Sequence, residues 1–250
     1  MHKNKEIALV TGGNKGIGHE IVRQLGILGF TVYLAARSSV LGESAAQALA
    51  ADGLDVRFVQ LDVTEVDSVE AAAKQVEAEA GRLDVLVNNA GIVAEWDTAV
   101  PDITAAQVRE AFEVNVFGVV TVTHAFVPLL RRSSNARIVN MSSGLGSVNQ
   151  LSELDGLLAT QGLLAYSSSK AALNALTLVY ASALRADGIK VNAATPGLVP
   201  TDLNTRAAVP RGDRTTADGA LVPVALATLP AEGPTGVFRG PGSLDEVAPW

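Results

Sequence analysis

The 250-residue chain is 48% apolar and 18% charged, with a net charge of −7. That composition supplies a large core, excludes intrinsic disorder, and argues against a nucleic-acid or anionic-membrane partner, both of which call for a basic field. There is no cysteine, and His2, His19 and His124 lack metal-ligand spacing, so disulfides, thiolate chemistry and a metal site are not expected.

The basic N-terminal stretch leads into EIALVT (6–11), whose apolar run is too short for a signal-peptide core or a membrane span. A first β-strand in a soluble, cytoplasmic protein is expected instead. Directly after it, LVTGGNKGIGHEIV sets Gly12, Gly16 and Gly18 in a G-x-x-x-G-x-G turn that opens a helix over 17–28. Glycines there let backbone approach a pyrophosphate without a Cβ in the way, and the helix start offers free N–H groups to the anion. This predicts a dinucleotide site. The second strand, TVYLAA (31–36), is followed by Arg37, with no Asp or Glu to hold a ribose 2′-hydroxyl. Arg37 and Lys15 supply two cations suited to a 2′-phosphate, so NADP(H) is the expected cofactor. The competing reading leaves Arg37 as a solvated loop residue.

Helical periods at 41–52, 66–81 and 104–131 alternate with the β-rich runs VRFVQL (56–61), DVLVNN (84–89) and ARIVNM (136–141). A helix at 165–186 and the strands IKVNAA (189–194) and GVFRG (236–240) continue the pattern. The strands are near-continuously apolar, as strands covered on both faces are. The alternation implies right-handed crossovers and a single-domain α/β fold, a Rossmann-type doubly wound parallel sheet of about seven strands with helices on both faces.

Two segments break the rhythm. Residues 144–164 form a long insertion, and 198–230 is rich in proline, glycine, threonine and alanine with weak helical signal. Both begin at strand carboxyl ends, where the ligand crevice of such sheets lies, and 198–230 is expected to form a substrate lid. Leu151, Leu154, Leu157 and Leu158 recur at helical spacing, which suits either a short amphipathic helix or core packing.

In AYSSSKAALNAL, Tyr166 and Lys170 lie four residues apart and share one helical face. An unperturbed phenol titrates near ~10, and a close cation lowers that value, which would make the phenol a usable proton shuttle. On spacing alone, a partly exposed tyrosine beside a solvated lysine is the better reading. The rest of the chain has to overturn it.

It does so through seven motifs in order: TGGNKGIG (11–18), LDV (61–63), NNAG (88–91), Asn115 in EVNVFG, IVNMSS (138–143), YSSSK (166–170) and PGLVPT (196–201). From the first strand to residue 201 the chain resembles the short-chain dehydrogenases/reductases. LAAR, PGLVPTDLN and the ending LPAEGPTGVF…W look most like the NADPH-dependent carbonyl reductase branch. The resemblance implies a catalytic group of Ser143, Tyr166, Lys170 and Asn115. Tyr166 would give a proton to the substrate carbonyl oxygen while the nicotinamide delivers hydride to the carbon, and Ser143 would hydrogen-bond that oxygen. Lys170 would lower the Tyr166 pKa and bind the nicotinamide ribose, and Asn115 would hold a water linking Lys170 to solvent. Ser142 is then the structural neighbour.

The resemblance also implies cofactor contacts from the turn residues Gly12, Asn14, Lys15, Gly16, Ile17 and Gly18 and from Arg37. Asp62 and Val63 would meet the adenine, and Asn89, Ala90 and Gly91 would line the cofactor beside the fourth strand. Pro196, Gly197, Val199 and Thr201 would pass the carboxamide, with Tyr166 and Lys170 at the nicotinamide end. For Asp62, strand-end turn chemistry is an equally good reading, and Asn88 and Asn89 also suit a sheet-capping role. The 143–166 gap is intermediate between the family's commonest spacing and the longest carbonyl-reductase insertions, which leaves monomer and homo-oligomer both open.

Val93, Trp96, Leu145 and Leu198 are candidate walls for a hydrophobic ketone or aldehyde, although Trp96 also suits a loop anchor. Two alternatives compete with a small-molecule carbonyl reductase. A 3-oxoacyl-carrier-protein reductase would need a basic docking surface, for which Arg131, Arg132 and Arg137 are the candidates. A non-catalytic NADPH-binding regulator ranks lower, because Ser143, Tyr166 and Lys170 are all present.

Overall fold

Every residue of strand β1 (Ile7–Thr11) is buried. Ile7 and Leu9 join one hydrophobic cluster while Ala8 and Val10 join the other, so alternate side chains face opposite helical layers. This accounts for the largely apolar strands: with both faces covered, a polar residue needs a hydrogen-bond partner within the fold. The computed structural model describes residues 5–156, 163–207 and 211–250.

Seven parallel strands are ordered β3-β2-β1-β4-β5-β6-β7. The others are β2 (Thr31–Ala36), β3 (Val56–Gln60), β4 (Val85–Asn88), β5 (Arg137–Met141), β6 (Lys190–Ala194) and β7 (Phe238–Arg239). Helices α1 (Gly16–Ile27), α2 (Ser39–Ala51) and α8 (Thr216–Ala227) cover one face with Ile21, Leu25, Leu49 and Leu226. Helices α3 (Val66–Ala80), α5 (Gly118–Leu130) and α7 (Leu164–Ala183) cover the other with Val76, Phe126, Leu130 and Ala181. Full burial of one such leucine or valine stabilises by roughly 1.5–3 kcal/mol. The strand order reverses between β1 and β4, and the crevice above that switch point is where such sheets bind ligands.

Three departures from the sequence pattern have local causes. The helix expected over 104–131 is α4 (Ala105–Phe112), a π-turn over Glu113–Phe117, and α5. A π-turn inserts an extra residue into the helical ladder and frequently marks a functional position; this one carries Asn115. By length and composition Ala105–Leu130 could cross a membrane, yet half of its apolar window is buried within the fold. In the expected lid, residues 216–227 are not lid but α8, a buried helix whose Ala220, Val222 and Leu226 belong to the core. Gly219 and Pro223 hide its helical signal, while a Thr215–Asp218 capping box starts it. Among the described residues of the insertion, the α-helix is the single turn α6 (Val148–Leu151), and Leu154 is 80% exposed rather than packed. Leu157 and Leu158 lie outside the described residues.

Candidate active site

The carboxyl ends of the central strands open onto one cavity of about 500 Å³. Its nucleotide end is built by the glycine turn. A Cβ on Gly18 would lie 2.4 Å from both Asn89 Nδ2 and the Gly12 carbonyl oxygen, so no larger residue fits there. Thr11 fixes this junction: its hydroxyl accepts the N–H groups of Asn89 and Ala90 at 3.0 Å, and Asn89 Nδ2 donates to the Thr11 carbonyl at 2.8 Å. Asn89 therefore clamps β1 to β4 as well as lining the cavity. Asn88 bonds Asn140 Oδ1 at 2.9 Å inside the sheet, the sheet-tying role.

At this end the residues fit a phosphorylated dinucleotide. Lys15 precedes α1 without capping it, so the first N–H groups of that helix have no side-chain acceptor. Ala36 and Arg37 close β2 on the cavity wall, and Arg37 makes no ion pair among the described residues. Lys15 is engaged: its ammonium donates to Asp202 Oδ2 at 2.9 Å, bridging the glycine turn to the 198–207 segment. Asp62 reaches the cavity while its carboxylate accepts from Thr64 N and Oγ1 at 3.0 and 2.8 Å, so the turn chemistry is present too.

At the other end, the turn after β5 packs directly on α7. A Cβ on Gly146 would fall 2.6 Å from the Lys170 carbonyl carbon, an approach only glycine permits. This places Ser143 beside Tyr166, where its hydroxyl favours the ionised phenol. Ser143 Oγ also accepts from Leu145 N at 3.2 Å. Ser142, buried, donates to Asn174 Oδ1 at 2.6 Å, the structural part expected of it. Lys170 Nζ lies 5.7 Å from the Tyr166 ring centroid and donates to the Met141 carbonyl oxygen at 2.7 Å. Asn115, fully buried, exchanges hydrogen bonds with Ile92 N and O at 2.9 and 3.0 Å and donates to Ser169 Oγ at 3.0 Å. Its side chain thus clips the loop after β4 to α7.

The pair's electrostatics differ from the sequence expectation. Burial pushes the Tyr166 phenol up to about 12; the Ser143 hydroxyl works against this, and the negative charge of Glu95 adds to it. Burial also pushes the Lys170 ammonium down to about 8. Desolvation outweighs the attraction that spacing alone suggested, because both side chains are almost fully enclosed.

All the expected cofactor residues line the cavity except Gly197 and Val199. Val199 is buried, and its Cγ2 would lie 2.9 Å from a Cβ on Gly219 of α8. Tyr166 sits in an apolar cluster with Leu145 and Leu163, against which Val93 and Trp96 pack; Leu198 stays outside it, 40% exposed. Trp96 acts as the loop anchor, its indole N–H donating to the Leu203 carbonyl at 2.9 Å, and does not line the cavity. Leu163, Glu95 and Asp202 were not legible in the sequence. They reach the site through tertiary contacts; Asp202 falls within PGLVPTDLN, but nothing in that stretch marks its bond to Lys15.

The short chain dehydrogenase family matches residues 6–210. The chain is 36% identical to carbonyl reductase (NADPH) 1 of Homo sapiens, over 95% of this chain and 97% of that protein. It is 34% identical to short-chain dehydrogenase/reductase 1 of Saponaria officinalis, over 98% and 96%. Among solved structures, NADPH-bound carbonyl reductase from chicken fatty liver matches with a TM-score of 0.84 and 30% identity, covering 99% of this chain and 100% of that one. A glycine turn clamped to β4, a Tyr166–Lys170 pair on α7 and this breadth of similarity have one common explanation: the chain belongs to the short-chain dehydrogenase family.

Proposed function

We propose that the protein is an NADPH-dependent reductase that converts the carbonyl of a small hydrophobic ketone or aldehyde to an alcohol, reversibly, with Tyr166 as the proton donor. One observation carries this reading: the buried Tyr166–Lys170 pair opens on the same cavity as the glycine turn and Arg37.

When bound, the nicotinamide supplies a hydride to the carbonyl carbon. Tyr166 gives its phenolic proton to the carbonyl oxygen as charge develops there, a contribution of typically ~10²–10⁴-fold. Ser143 accepts the Leu145 N–H and so keeps its own proton free to bond the same oxygen. Lys170, held near 8, is acid enough to return a proton to the tyrosinate and lends it a nearby cation. Val93, Trp96, Leu145 and Leu163 keep water from the phenol and favour an apolar substrate. Arg37 would hold the 2′-phosphate, with Lys15 joining it when released from Asp202.

The carrier-protein alternative has weaker support. Arg131 pairs with Asp187, Arg132 with Glu77 and Arg137 with Glu6, so none of the three is a free cation. The test is NADPH oxidation by the purified protein with aryl ketones, aliphatic aldehydes and 3-oxoacyl-carrier thioesters. Turnover on free ketones supports the reading; turnover on carrier thioesters alone, or none at all with NADPH bound, overturns it.

A further inference from the structure

Glu95 lies on the loop after β4, and at 1% exposure its carboxylate is fully buried. Among the described residues it forms no ion pair. Burying a carboxylate without a cation is costly unless its oxygens are otherwise bonded. Here each oxygen accepts a backbone N–H: Oε1 that of Tyr166 at 2.7 Å, and Oε2 that of Ala94 at 3.0 Å. Two donated N–H bonds suit the ionised, acceptor-only form.

The bond to Tyr166 falls in the first turn of α7, where helix N–H groups have no partner within the helix. Leu163, at the N-cap, supplies no side-chain acceptor. The cap is imported from a loop 71 residues earlier in the chain, and an anion there also suits the helix dipole. The residue so held is the proton donor itself. Lys170 sits one turn along on the same helix, and Ser143 reaches the phenol from the end of β5. The π-turn and α4, which also pack on α7, keep Arg109, Glu110 and Glu113 at the surface. Lys190 of β6 is bonded to Asn135 at the opposite end of the sheet. Glu95 is therefore the negative charge that faces the phenol.

Building on the reductase reading above, we propose that Glu95 is a positioning residue for the proton donor: it grips the Tyr166 backbone from the substrate-side loop and sets the charge that the phenol feels. Its negative charge opposes tyrosinate, adding to the larger upward push that burial gives Tyr166. The resting site is held in its proton-loaded form, ready for reduction. Trp96, the next residue, bonds the 198–207 segment, so the same loop joins the substrate wall to the catalytic helix.

Glu95→Gln keeps an acceptor for the Tyr166 N–H but removes the charge, whereas Glu95→Ala removes both. With Glu95→Gln, the alkaline limb of ketone reduction and the rising limb of alcohol oxidation should both move to lower pH, by about one unit. With Glu95→Ala, kcat should fall about tenfold or more with the NADPH KM unchanged, and amide hydrogen exchange in the first turn of α7 should quicken. Should Glu95→Ala not fold, Glu95→Gln carries the test alone through its pH limbs. Unmoved limbs in Glu95→Gln, with wild-type turnover present, overturn the proposal while leaving the reductase reading intact. A wild type that never oxidises NADPH with a ketone, beside a Glu95→Ala first turn that exchanges faster, ends the reductase reading while the grip on Tyr166 stands.

Discussion

Lys170 Nζ stands 5.7 Å from the centre of the Tyr166 ring, on the same face of α7 and one turn away. Both side chains are buried, and burial drives their proton affinities apart from their ordinary order of charge: the phenol up to about 12, the ammonium down to about 8. The arrangement stores a destabilised cation beside a protonated acid, which is costly for stability and useful for proton transfer.

Replacing that cation should therefore stabilise the fold while abolishing turnover. The fall of Lys170 from its ordinary 10.5 to about 8 corresponds to roughly 3 kcal/mol of penalty. A lowered folded-state value in a base means that the penalty is complete below about 8 and fades as pH rises toward 10.5, where the unfolded chain also loses its proton. Lys170→Met should thus raise Tm at neutral pH, with the gain shrinking above pH 8. Thermal melts across that window check it; a lower Tm for the variant at neutral pH would contradict the assignment.

Arg37→Asp exchanges attraction for repulsion at the end of β2, where the cavity wall otherwise offers a guanidinium without an ion pair among the described residues. The NADPH KM should rise much more than the NADH KM. An unchanged preference between the two would place the 2′-phosphate elsewhere.

Asp202→Asn frees Lys15 from its 2.9 Å partner. Since the pair is largely exposed, the effect is small: a few-fold lower NADPH KM, no change for NADH, and a steeper salt dependence. A higher NADPH KM would show that the bridge helps to hold the cofactor rather than competing with it.

Trp96→Phe retains an aromatic ring but loses the bond from the indole to Leu203 O. Loosening of the 198–207 segment should cost about 1 kcal/mol, several-fold in KM, for bulky hydrophobic ketones. Small aldehydes should be turned over as before. Steady-state kinetics on a size-graded panel reads the difference.

Much of this molecule was readable in its sequence because its signals are local. Strands of such a covered sheet announce themselves as near-continuous apolar runs, and all seven were placed to within about two residues. The glycine turn and Tyr166–Lys170 are short motifs whose geometry follows from spacing. What stayed hidden depends on packing. Helix α8 carries a glycine and a proline that its burial overrides, and the π-turn at Asn115 leaves no trace in hydrophobic period. Glu95 reads as an ordinary loop acid until the fold sets it against the start of α7. The balance of pKa effects was also beyond spacing, because it turns on burial, which only the assembled cavity fixes.

The central claim is that Tyr166 supplies the proton. Tyr166→Phe keeps the ring within its cluster of Leu145, Leu163, Val93 and Trp96 and deletes only the hydroxyl. Ketone-dependent NADPH oxidation by this variant, measured beside NADPH affinity by fluorescence titration, is the most direct test. The expected result is a loss of roughly 10²–10⁴-fold in kcat with NADPH affinity retained; ketone turnover at the wild-type rate would remove Tyr166 from its role as proton donor.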